Sequence, residues 1–109
     1  MRRQQRLRHR KDFAAAYRTG AVFRSHLLVM RVRANPDTAL PRFGFAVGKR
    51  LGGAVVRNRL KRSLRAAARE SGARGGADVV VIARRPAVGA PYRALEGSLR
   101  DLLDEARLR

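Results

Sequence analysis

The sequence predicts a small α+β fold of one domain spanning residues 1–109. Three observations predict it: strand patterning across 21–34 with a returning strand at 42–48, an amphipathic helical pattern across 54–71, and a continuous apolar run at 79–83 behind Asp78. A chain of 109 residues can build one modest core but not two. The expected order is α-β-β-(β)-α-β-α, with a small, mainly antiparallel sheet and one βαβ crossover.

Residues 1–10 form a basic arm that begins like a signal peptide, but no apolar core of the required length follows. Its dense cations suit an RNA-contacting arm, with simple disorder as the alternative reading. The segment Lys11 to Thr19 reads as a short helix, with Asp12 as a candidate acidic cap and Gly20 where a chain leaves a helix in the left-handed region. Phe13 and Tyr17 are four apart and share a face. Such a pair is either core or a platform on which unpaired bases stack.

From Ala21 to Ala34, Leu28, Met30 and Val32 alternate with Val29, Arg31 and Arg33, which is a strand with one buried face. Asn35-Pro36-Asp37 supplies a turn. Arg42 to Gly48 is then expected to return as its antiparallel partner. Gly52-Gly53 breaks the chain before the long helix and matches no phosphate-loop pattern. Gly72 to Gly76 ends that helix, and Asp78 to Ala83 reads as a fully buried strand. After a connector from Pro86 to Pro91, Tyr92 to Leu108 forms a last helix with Leu95, Leu99, Leu102 and Leu103 as its buried stripe.

The long helix and the residues before it carry the charge. Lys49 to Arg69 holds eight basic residues and no acidic one. On a helical wheel Val56, Leu60, Leu64 and Ala67 share one stripe, while Asn58, Lys61, Arg62, Arg65 and Arg69 lie opposite and Arg57 and Arg59 flank the apolar edge. No acidic residue at i±4 pairs with these cations, so they repel one another until a polyanion neutralises them. Lys49 and Arg50, just before the helix, extend the same surface.

Arg57-Asn58-Arg59-Leu60-Lys61-Arg62, followed by Leu64-Arg65 and preceded by Val47-Gly48-Lys49-Arg50 and Ala54-Val55, resembles the signature of the protein subunit of bacterial ribonuclease P. The resemblance runs from about Leu7 to the last helix. It implies a ribosomal-protein-like two-layer fold with a left-handed crossover, although ordinary βαβ physics favours the right-handed one. It implies a holoenzyme in which a catalytic RNA hydrolyses a phosphodiester to release the 5′ leader of precursor tRNA, with Mg2+ held mainly by RNA and none bound by the protein alone. It assigns Arg57, Asn58, Arg59, Lys61, Arg62, Arg65, Arg69, Lys49 and Arg50 to RNA binding. Phe13 and Tyr17 fall where that family lines its leader cleft. Arg31 aligns with a strand position that is Tyr in some relatives, and so sets a cation, open to cation–π stacking, in place of an aromatic wall.

Composition narrows the function classes independently of that resemblance. A formal charge of +18 points to nucleic acid or an anionic membrane, and no apolar stretch is long enough to span a bilayer. The chain has no cysteine, which excludes disulfides and fits a cytoplasmic protein. Its eight acidic residues are scattered, and His9 and His26 lack a partner at useful spacing. The protein alone is therefore expected to be non-catalytic and to hold no metal. Glu96, Asp101, Asp104 and Glu105 concentrate half of the acidic residues on the last helix, which is expected to face away from RNA. A ribosomal protein or RNA chaperone would share the size and charge. A DNA-binding module would need a second short helix before the basic one, and none is seen.

Overall fold

The computed structural model describes residues 6–7 and 9–109. Its elements are α1 (Arg10–Thr19), β1 (Ala21–Arg24), β2 (Leu28–Ala34), β3 (Arg42–Ala46), α2 (Ala54–Glu70), β4 (Ala77–Ala83) and α3 (Tyr92–Glu105), with single 3-10 turns at Lys49–Leu51 and Arg85–Ala87. The order agrees with the α+β expectation, the optional strand being present. The segment read as one strand from Ala21 to Ala34 is two, because Ser25 accepts from the amide of Leu28 and turns the chain back on itself.

The sheet order is β1-β2-β4-β3. This corrects the expected β2–β3 pair: β4 lies between them, antiparallel to β2 and parallel to β3. The physical reason is burial. Apart from Asp78, β4 is apolar on both faces, so it stabilises the fold most where strands flank it on both sides and helices cover both faces. The hydrophobic core fills one face, where Leu28, Met30, Phe43, Val79 and Val81 meet Leu60, Leu64 and Ala67 of α2 and Leu95, Leu99, Leu102 and Leu103 of α3. The whole predicted stripe of α3 is buried. On α2, Val56 is exposed, and Ala68 completes the buried stripe instead, because the first turn overhangs the edge of the core.

On the opposite face the registers set up three rows across β2, β4 and β3: Arg33–Asp78–Arg42, Arg31–Val80–Gly44 and Val29–Ile82–Ala46. α1 packs against β2 and β4 on this side and buries Ala16 and Val80 completely. Two details of α1 differ from expectation. Gly20 is extended (φ −71°, ψ 150°) rather than left-handed, and it is glycine because a Cβ there would sit 2.5 Å from the carbonyl oxygen of Ala16 and 3.0 Å from the backbone of Val32. The N-cap is His9, without a side-chain cap, and Asp12 lies inside the first turn.

Of the basic arm, residues 1–5 and 8 lie outside the described residues. Arg6 and Leu7 run beside β3, the Leu7 amide donating to the Phe43 carbonyl at 2.9 Å. α3 ends three residues earlier than expected, yet Leu108 stays buried. Arg107 takes the left-handed conformation (φ 60°), and the Leu108 and Arg107 amides donate back to the Leu103 and Asp104 carbonyls, a Schellman closure.

Candidate nucleic-acid interface

Two surfaces on opposite faces of the sheet collect the residues that the sequence singles out. On the α1 side, the middle row lies beneath the helix. Phe13 packs against Gly44, where a Cβ would come within 2.6 Å of its Cε2 and 2.7 Å of its Cδ2. Only a residue without a side chain lets the ring approach the sheet that closely. Tyr17, one turn on, is 44% exposed and so is not a core residue.

Arg31 lies beneath that tyrosine. Its guanidinium carbon is 4.9 Å from the centre of the Tyr17 ring, and its Nη1 donates to the Tyr17 carbonyl oxygen at 2.7 Å. The cation therefore fixes the ring and caps the end of α1. Its Nε is buried without a hydrogen-bond partner.

Beyond the end of α1 the third row, Val29, Ile82 and Ala46, is only half-buried and leaves an apolar strip of sheet open. The groove over Ile82 and Ala46 of this strip is bordered by Tyr17, Arg50, Arg84 and Arg85. Arg84 is anchored on the Ser25 carbonyl at 2.7 Å, and Arg85 reaches the Arg50 carbonyl at 3.4 Å. Sequence reasoning missed Arg84 and Arg85. The signal available was their position straight after a fully apolar strand, where the chain must leave the sheet at its edge.

The second surface is α2. Asn58, Arg59, Arg62, Arg65 and Arg69 are exposed, whereas Arg57 and Lys61 are half-buried and the Arg57 Nε is buried without a partner. Among the described residues the ion pairs join Arg42 to Asp12 and Asp78, and Arg109 to Asp104, so no cation of α2 has one. Arg59, Arg62, Arg65 and Arg69 share a shallow concavity with Arg6 and Tyr92. Lys49 and Arg50, both exposed, sit in the turn that leads from the α1-side groove to this helix. The hydroxyl of Tyr92 is buried without a hydrogen-bond partner. Burial first, then the negative charge of Glu70, push its pKa up.

Among the described residues no three His, Cys, Asp or Glu side chains converge. Asp78 is 1% exposed and accepts from Arg42 and Asn35, and Asp12 also faces Arg42. Both carboxylates are thus engaged by Arg42, and Asp78 also by Asn35. No helix among the described residues is long and apolar enough to cross a membrane.

The model of the family described as Ribonuclease P matches residues 1–107. The Ribonuclease P protein component of Dehalococcoides mccartyi (strain 195) is 36% identical over 108 residues, covering 99% of this chain and 89% of that one. That of Shouchella clausii is 34% identical over 110 residues, covering 99% and 90%. Among solved structures, the RNase P protein of Staphylococcus aureus superposes with a TM-score of 0.83 at 30% identity, covering 95% of this chain and 96% of that one. The Thermotoga maritima protein gives 0.82 at 30% identity, covering 92% and 96%. Matches of this extent leave no place for the ribosomal-protein, RNA-chaperone or DNA-module readings. With nearly its whole length matched in both sequence and fold, the chain belongs to the ribonuclease P protein family and is the protein subunit of that ribonucleoprotein endonuclease, which acts in the 5′ processing of tRNA.

Proposed function

We propose that the two surfaces divide the work within the ribonucleoprotein. The exposed cations of α2, with Lys49 and Arg50, hold phosphates of the catalytic RNA. The groove on the α1 side holds the single-stranded 5′ leader of precursor tRNA. In this reading the RNA carries out the hydrolysis, with magnesium ions held mainly by RNA. The protein places the leader and neutralises backbone charge.

The observation that supports leader binding is the open apolar strip Val29–Ile82–Ala46 beside an exposed, clamped tyrosine and three arginines. Ring and strip offer stacking area to bases of any identity, and the arginines follow the backbone, which is how a strand is held without regard to sequence. Phe13 contributes less directly, by seating α1 at the height that leaves Tyr17 at the groove wall. Arg31 is engaged with Tyr17 and acts by orienting it.

The experiment compares holoenzyme carrying Tyr17→Ala on precursor tRNA with a leader of several nucleotides and on mature tRNA. Affinity for the precursor should fall by about 1–3 kcal/mol, roughly 5- to 150-fold, with mature tRNA and the thermal melt of the protein unaffected. Equal loss on both RNAs would remove the leader assignment.

A further inference from the structure

One apolar feature of α2 is not used by either surface. A groove of about 390 Å³ runs between the first turns of α2 and the connector at 87–90; its walls include Val56, Leu60, Val88 and Leu95, and Arg59 and Ser63 are its polar members. Val56 and Val88 are each 38% exposed, and Val55, next to Val56, is 72% exposed. Large aliphatic side chains left open beside a dense cation field are costly to solvate, and a groove of this size lies within the range of about 300–1,000 Å³ of small-ligand sites.

Charge decides among possible occupants. Arg59 belongs both to this groove and to the concavity lined by Arg62, Arg65 and Arg69, so the groove opens onto a phosphate-attracting surface. A second copy of a chain with net charge +18 would be repelled from it. Paired RNA cannot enter, because its bases are stacked and its major groove is deep and narrow. An unpaired nucleotide can present its base to aliphatic walls and to a guanidinium plane, while its flanking phosphates remain on the helix.

We propose that this groove is a base-binding slot, which takes one unpaired nucleobase of the catalytic RNA between Val56, Leu60 and Val88 and the Arg59 guanidinium. The slot adds readout of RNA structure to a surface that otherwise binds charge. It rests on the reading of α2 as the face that meets the catalytic RNA, and the test separates the two.

A diazirine-bearing side chain at position 88 of the full-length protein, in holoenzyme assembled on its catalytic RNA, should give on illumination an adduct at one unpaired nucleotide. Removing that base from the RNA, or making the neutral change Val56→Gln in the protein, should each weaken assembly by about tenfold. Both should leave the salt dependence unchanged, because no cation is removed. Combined, the two changes should be no worse than either alone. An adduct to paired RNA or to a second copy of the chain, no adduct, or additive losses would each overturn the slot. Arg62→Ala with Arg65→Ala is the control. If it weakens assembly while Val56→Gln does not, only the slot falls. If it has no effect, α2 is not the RNA face and both readings fall.

Discussion

Arg42 grips Asp78 with two parallel hydrogen bonds, Nε to Oδ1 at 2.8 Å and Nη2 to Oδ2 at 3.0 Å, joining β3 to β4 on the α1 side of the sheet. Asn35 adds its amide at 3.2 and 3.3 Å, and Asp12 of α1 approaches the same guanidinium at 3.5 Å. The hydrogen bonds that Arg42 donates to Asp78, more than the carboxylate's charge, hold the Arg42 pKa above the ordinary arginine value. One buried carboxylate thus ties two strands, a turn and a helix together.

Asp78→Ala should therefore cost about 3–5 kcal/mol, since it takes the main partner from a partly buried guanidinium and the carboxylate from the Asn35 amide. At about 4 °C or more per kcal/mol, the melt should drop by roughly 12 °C at least. Asp12→Ala removes only a longer, more exposed interaction and should cost less than about 1 kcal/mol. Thermal denaturation of the two variants checks this, and a melt for Asp78→Ala within a few degrees of the parent would contradict it.

Gly44→Ala places a methyl group 2.6 Å from the Phe13 Cε2, so the ring or α1 must shift. Overpacking of this kind costs about 1–3 kcal/mol. The specific expectation is compensation: a Gly44→Ala/Phe13→Ala double variant should lose less stability than the sum of the two single losses, because the clash is gone. Strict additivity in chemical denaturation would show that the ring and the glycine do not meet.

Replacing Arg62 and Arg65 by Ala should weaken binding to the catalytic RNA and flatten its dependence on salt. Every phosphate that goes unneutralised should reduce the log–log slope by about 0.7–0.9. Titrations at several salt concentrations read the slope directly. Weaker binding at an unchanged slope would mean that these side chains do not touch phosphate.

Tyr92 should ionise late. In a Tyr17→Phe background it is the one remaining phenol, and its ultraviolet titration should have its midpoint above the ordinary tyrosine value of about 10. The folded state favours the neutral phenol, so this contribution to stability is full below the unfolded-state pKa and is lost as pH rises through the higher folded one. A midpoint at or below about 10 would show that neither burial nor Glu70 acts on the hydroxyl.

Much of the molecule was legible because its signals are local. The apolar run at 79–83 identifies a strand buried on both faces, and the spacing of Leu95, Leu99, Leu102 and Leu103 identifies the buried side of α3. The unpaired cations of α2 can be read from the wheel alone, since a helix fixes which side chains share a face before it packs on anything. The Phe13–Tyr17 spacing likewise put two aromatics on one side of α1, but it could not say which was seated on the sheet and which was free.

The tertiary structure decided what depends on partners far apart in the chain. Period-two patterning marks a strand without naming its neighbour, so the place of β4 between β2 and β3 followed from its double burial and not from chain order. That placement alone aligns Arg33–Asp78–Arg42, Arg31–Val80–Gly44 and Val29–Ile82–Ala46 into rows. The rows in turn set Phe13 over a glycine, Tyr17 over an arginine and an open apolar floor beside Arg84 and Arg85. Sequence determines which side chains are available and on which face of each element they lie; the groove exists only where the strand registers bring three separate segments to one height on the sheet.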